Sequence, residues 1–207
     1  MGKIVATCSN CRHTQEIEAY TAINVADRPD LKEKVKDGSL FVWECAACGA
    51  HNLAVYQTLY HDPEAKLMVW LMPGDETLDN RLAALADQLD GYTLRRVSDV
   101  GSLIEKVNIH DAGLDDAVIE MCKYVTRMEL AEKHGREMLD TPMKLYRVQG
   151  ADHEIVLSFP LNGAMHGVNI GFHVYEDCRG ILQRNPQARP GEGFARVDAA
   201  WLGRFFR

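Results

Sequence analysis

Six cysteines carry most of the chemistry this chain can do. Cys8 and Cys11 form one C-x-x-C pair, Cys45 and Cys48 form a second, and Cys122 and Cys178 stand alone. Thirty-three residues, Arg12 to Glu44, separate the pairs. Four thiolates are a soft donor set, suited to Zn²⁺ held tetrahedrally at about 2.3 Å. A C-x-x-C turn is short enough for both its sulfurs to reach one ion. Cys8, Cys11, Cys45 and Cys48 are therefore the expected metal ligands, with one Zn²⁺ per chain. The same ligand set accepts iron, and two dithiol pairs could instead do redox chemistry, so those readings stay open.

A filled tetrathiolate shell leaves no position for water, which points to a structural site rather than a catalytic one. In small zinc-binding peptides such sites contribute about 10–16 kcal/mol of folding free energy. Gly49 follows the second pair, where a positive φ is needed and glycine has no steric penalty. Arg12 occupies that place after the first pair, where strain or a different turn shape is expected. His13 and His51 stand close behind the pairs and read as polar residues on the return strands rather than as ligands.

Other reactive residue types lack a constellation. Cys122 lies at helical spacing with Val118 and Val125 and reads as a core thiol. Cys178, between Asp177 and Arg179, is a weaker candidate for a reactive thiol. Asp115-Asp116 reads as a helix N-terminal pair favoured by the helix dipole. His153, His166 and His173 are scattered, with His173 expected on the outer face of a strand. No G-x-S-x-G motif and no phosphate-binding glycine loop occurs. Arg95-Arg96 is too short for a basic tract, and Trp201, Phe205 and Phe206 read as core-docking residues. No catalytic residues are assigned.

The elements that must position the cysteines follow from local pattern. Ile4 to Thr7 and Gln15 to Tyr20 read as strands flanking the first pair. Leu40 to Trp43 leads into the second pair and Leu53 to Leu59 leaves it, so each pair sits at a hairpin tip. Between them, Pro29 to Lys36 reads as a short helix, with Leu31 and Val35 one turn apart and Asp37-Gly38 closing it. Strands are expected at Lys66 to Met72 and Tyr92 to Val97, with a turn over His61 to Glu64. Helices are expected over Thr77 to Leu89, from Ser98 as N-cap to about Asn108, and from Asp115 or Asp116 to about His134. The last of these should bury Val118, Met121, Cys122, Val125 and Met128. Lys144 to Val148 and Ile155 to Phe159 form a hairpin. Val168 to Val174 reads as a third strand, Tyr175 to about Arg184 as a helix, and Asp198 caps a last helix.

The fold class is therefore α+β. A zinc-ribbon-like β unit at 1–75 precedes a helical segment and a C-terminal mixed α/β unit at 76–207. The composition supports a packed core: 207 residues are 46% hydrophobic and 26% charged. The formal charge is −7, and four thiolates with one Zn²⁺ would take it two units further negative. A general phosphate-binding surface is disfavoured on that balance. The longest apolar run, Leu67 to Met72, is far too short for a membrane helix. The start lacks an apolar stretch of signal-peptide length, and Ala6 breaks the myristoylation pattern that Gly2 begins. The expected compartment is the cytoplasm, where paired cysteines more often bind metal than form disulfides.

Several segments together resemble the CpXC-domain proteins, a bacterial and archaeal family named for two C-P-x-C motifs and without an assigned activity. The resemblance rests on Cys8-Ser9-Asn10-Cys11 and Cys45-Ala46-Ala47-Cys48-Gly49. The segments Ile23-Asn24-Val25, Leu31-Lys32-Glu33-Lys34 and Gly38-Ser39-Leu40-Phe41 extend it. So do Leu59-Tyr60-His61-Asp62-Pro63-Glu64, Met68-Val69-Trp70-Leu71 and, more loosely, Gly113-Leu114-Asp115-Asp116. Ser9 and Ala46 stand where the family name has proline, and neither is a ligand. The resemblance implies the metal site and leaves the role unassigned. The expectation is a non-enzymatic zinc protein that binds another protein. A zinc-ribbon nucleic-acid-binding role and a C-x-x-C thiol oxidoreductase are the alternatives.

Overall fold

The computed structural model describes residues 1–74 and 89–206. The helix expected over Thr77 to Leu89 falls almost entirely outside the described residues. The fold is α+β and divides into two compact units, Met1–Ile104 and Glu105–Arg207. Residue 75, where the sequence places the end of the ribbon-like unit, lies inside the first of them. None of the described helices is long and apolar enough to cross a membrane.

Unit 1 begins with an antiparallel ribbon of β1 (Gly2–Thr7) and β2 (Thr14–Ala19), paired from Gly2↔Ala19 to Thr7↔Thr14. A second ribbon joins β4 (Val42–Glu44) to β5 (His51–Leu53). The third assembly is a four-stranded sheet in the order β3 (Ala22–Asn24), β6 (Thr58–Asp62), β7 (Leu67–Leu71), β8 (Thr93–Val97). β7 is buried at every residue. Its unbroken Leu-Met-Val-Trp-Leu run suits a central strand covered on both faces.

Helix α1 (Asp30–Lys36) buries Leu31 and Val35, the two apolar positions one turn apart. Gly38 ends it in the left-handed region, with φ 78°. Ser39–Phe41 then makes one 3-10 turn, so only Val42 and Trp43 of the expected strand Leu40 to Trp43 are extended. Helix α2 (Val100–Asp111) is capped by Asp99 rather than by Ser98: the Ser102 N–H donates to Asp99 Oδ1 at 2.8 Å. The two-unit division falls within α2.

Unit 2 contains α3 (Asp116–His134) and a three-stranded antiparallel sheet. The sheet order is β11 (Ala164–Ile170), β10 (Glu154–Leu161), β9 (Lys144–Gln149). Helices α4 (Phe172–Arg184) and α5 (Ala199–Leu202) follow. Asp115 caps α3 by accepting from the Ala117 N–H, and Gly135 stops it. The core joins Val118, Met121 and Cys122 of α3 to Ile155, Leu157 and Phe159 of β10 and to Tyr175 of α4. Met128, expected on the inner face of α3, is 45% exposed. The third strand ends at Ile170 and helix α4 starts at Phe172, so His173 belongs to a helix and not to a strand. Helical spacing puts Phe172, Tyr175 and Cys178 on one face, and the Tyr175 hydroxyl accepts from the Asp115 N–H at 2.9 Å.

Candidate metal centre

Each C-x-x-C pair sits in the turn of a two-stranded ribbon, Cys8 and Cys11 between β1 and β2, Cys45 and Cys48 between β4 and β5. The two turns share one backbone pattern. Cys8 N–H donates to His13 O at 2.8 Å, and Arg12 N–H to Cys8 O at 3.1 Å. Cys45 N–H donates to Ala50 O at 2.9 Å, and Gly49 N–H to Cys45 O at 2.8 Å. Such a turn needs a left-handed residue after the second cysteine. Gly49 has φ 70° and Arg12 has φ 63°, so arginine takes a conformation that usually costs a side-chain-bearing residue about 1–2 kcal/mol.

The four sulfurs lie within 4.8 Å of one another. Two contacts run between the pairs: Cys8 Sγ to Cys48 Sγ is 3.7 Å, and Cys11 Sγ to Cys45 Sγ is 3.6 Å. A tetrahedron with metal–sulfur bonds of about 2.3 Å has sulfur–sulfur edges of about 3.8 Å. The donor set therefore fits one tetrahedral thiophilic ion shared by both ribbons. Cys8 and Cys45 are buried while Cys11 and Cys48 are exposed. All six cysteines are free of disulfides. Among the described residues this is the one group of three or more metal-ligating side chains gathered in this way.

The partners around the sulfurs are as specific as the sulfurs. Asn52, on the inward face of β5, donates from Nδ2 to Cys8 Sγ at 3.5 Å and to Ala50 O at 2.9 Å. Its Oδ1 accepts from the Ser9 N–H and the Ser9 hydroxyl, each at 2.8 Å. Asn10 Nδ2 donates to Cys48 Sγ at 3.6 Å. Gln15 of β2 bridges to the other turn, donating to Glu44 O at 3.1 Å and accepting from the Ala46 N–H at 2.8 Å. Donors aimed at sulfur favour the thiolate. The Cys11 backbone N–H, with Asn10 and Asn52, holds Cys8 at about 6 against burial. The Ala50 N–H and Asn10 likewise lower Cys48.

Asn52 and Gln15 were not among the residues singled out by sequence. Gln15 shares the Ile17 face of β2, which alternation marks, whereas nothing local marks Asn52 as inward-facing. The run Asn52, Ala54, Tyr56, Thr58 is buried, and Leu53 and Val55 point outward, the reverse of what hydropathy suggests. The strand expected over Leu53 to Leu59 is two strands, β5 and β6, joined by an irregular stretch. Both positions that bear proline in the family name use their N–H here, Ser9 toward Asn52 and Ala46 toward Gln15. Proline could make neither bond.

The remaining candidates do not join the centre. His13 and His51 are exposed and outside the sulfur group. His166 stacks on Phe159, and His153 lies in the β9–β10 turn with its ring 6.0 Å from Phe172. Cys122 and Cys178, far along the chain from the first pair, meet in the core of unit 2. The neighbouring Cys178 thiol together with burial pushes Cys122 up. At 2% exposure Cys178 is a core thiol.

Asp115 and Asp116 have different roles. Asp115 caps α3, whereas Asp116 is buried and pairs with Lys106 Nζ at 2.7 Å. Lys106 also donates to Val197 O at 2.7 Å. Beside it, Lys123 donates to both oxygens of Glu105 at 3.0 and 3.2 Å and pairs with Glu120. Glu105 Oε1 also accepts from the Leu145 N–H at 2.6 Å. This buried ionic network was not visible in the sequence. Every residue from Asp116 to Lys123 is buried, so the first two turns of α3 are enclosed on all sides and their polar groups must pair.

The model of the CpXC protein family matches residues 6–123, more than half of the chain. The chain belongs to the CpXC family. Neither the curated proteins nor the solved structures contain a match to it.

Proposed function

We propose that this CpXC-family protein is a non-enzymatic interaction module whose two N-terminal ribbons are locked together by one structural Zn²⁺ on Cys8, Cys11, Cys45 and Cys48. The observation that carries the reading is the gathering of all four sulfurs within 4.8 Å, with contacts of 3.6 and 3.7 Å across the two turns. A dithiol redox site needs only the two sulfurs of one C-x-x-C, whereas a shared ion draws all four into a closed shell. A shell of four thiolates leaves the ion no site for substrate or water, so its contribution is rigidity.

The rigid element offers an apolar face. Val42 and Leu53 are cross-strand partners on the outer side of the β4–β5 ribbon, 48% and 58% exposed, with Val55 beside them. A partner protein with an apolar contact surface suits this face better than a nucleic acid does, given the net charge of −7. The first experiment is anaerobic elemental analysis with a thiol count on the folded protein. One zinc per chain is expected, with the four ligand cysteines unreactive. One iron would redirect the reading to electron transfer, and four accessible thiols without metal would replace it with thiol chemistry. Co-purification from native cells then compares the wild type with V42E/L53E, which should keep its zinc and lose its partner.

A further inference from the structure

The free edge of the unit 2 sheet points to self-association. β11 pairs with β10 without interruption from Ile155↔Ile170 to Leu161↔Ala164. Its other edge pairs with no strand among the described residues. The strand is exposed along Ala164–Gly167 and at Asn169, and Met165 is 68% exposed. A bare edge presents a row of backbone donors and acceptors that another strand can take up, and soluble proteins usually guard it with charge, proline or a bulge.

The other described edges of more than three residues carry such guards. β9 has Lys144 and Arg147 and a register shift against β10. β8 has Arg95 and Arg96, β1 has Lys3, and β2 has Glu16 and Glu18. β3 and β5 are uncharged but only three residues long. β11, Ala-Met-His-Gly-Val-Asn-Ile, has seven residues with no proline and no acidic or basic side chain other than His166.

We infer that β11 pairs antiparallel with β11 of a second copy of this chain, about a twofold axis at Gly167, joining two three-stranded sheets into one of six strands. Gly167 is the middle residue of β11, so the one position that must face itself has no side chain to clash. In that register Met165 faces Asn169 of the second copy, and His166 faces Val168. Every contact occurs twice, as a closed twofold interface requires. The charge balance permits it: residues 141–207 carry eight basic and six acidic side chains, although the whole chain is net −7.

Met165 and Asn169 pair with Pro160 and Val156, on the sheet face opposite buried Ile155, Leu157 and Phe159. Charges can be placed there without entering the core. Sedimentation velocity over a concentration series should show wild-type monomer giving way to dimer. M165K/N169K sets lysine opposite lysine at both ends of the register and should remain monomeric, because like charges directly opposed across a ladder are destabilising. M165K/N169E sets lysine opposite glutamate and should dimerise. The inference is overturned by a wild type that is monomeric at every concentration. It is also overturned if M165K/N169K associates like the wild type, or if M165K/N169E is as monomeric as M165K/N169K.

Discussion

Arg12 and Gly49 occupy the same place in two turns of the same hydrogen-bond pattern, and both are left-handed, at φ 63° and 70°. The first turn holds arginine in that conformation because Asn52 secures it from the other ribbon, through Ser9 and the Cys8 sulfur. Asn52 is thus a positioning residue that acts through the ligands. Asn52→Ala should weaken metal binding by about 10–100-fold, the usual effect of removing a partner that orients a ligand. Competition against a chromophoric chelator measures it, and an unchanged affinity would show that the turns hold their shape alone. The grouping of the four cysteines and the positive φ at Gly49 were legible from residue types and spacing, while at Arg12 spacing left open a strained or a different turn and the structure shows the strained one. Asn52 was not legible, because an asparagine in an alternating strand names its face only once its neighbours are known.

At the scale of elements, inward direction was decided by polar satisfaction as much as by hydropathy. The Asn52-to-Thr58 face turns inward, with the Tyr56 hydroxyl accepting from the Tyr20 N–H at 3.3 Å, and leaves Leu53 and Val55 outside. A shift of one residue exchanges the two faces of a strand, so a single demanding polar residue can set the register. In unit 2, α2 and α3 are joined by the ion pairs of Lys106 and Lys123. Burial pulls Lys123 down, but Glu105 and Glu120 outweigh it and hold the ammonium above the ordinary lysine value. A raised folded value means that Lys123 contributes its full stability below the ordinary lysine pKa. The contribution is lost as pH rises through the raised one. Lys123→Met leaves two buried carboxylates without their shared cation and should cost about 3–5 kcal/mol at neutral pH. Urea denaturation across a pH series should show the wild type losing stability at alkaline pH more steeply than the variant. Parallel curves would mean that the pair contributes nothing through Lys123.

At the scale of the molecule, the family match spans residues 6–123, and thus all of the sulfur centre, while β9 to α5 lie beyond it. Chelation of the metal under reducing conditions should release the β1–β2 and β4–β5 ribbons and leave the unit 2 sheet protected. Amide exchange read by mass spectrometry should therefore rise in residues 2–19 and 42–53 and stay unchanged in residues 144–170. Acceleration spread evenly over both units would contradict a site that supports unit 1 alone. Legible in the residues alone were the α+β class, the two C-x-x-C ribbon turns, and helices α1 and α3 with the glycines that end them. These depend on local spacing, on conformations few residues adopt, and on periodicity within one segment. Packing of distant segments sets which sulfurs meet across the ribbons, which face of the Asn52 strand turns inward, and where α4 begins. It alone brought Cys122 to Cys178 and enclosed the charges of α2 and α3. Each of those outcomes is set by groups far apart in the chain, whose burial obliges them to find partners that no local pattern names.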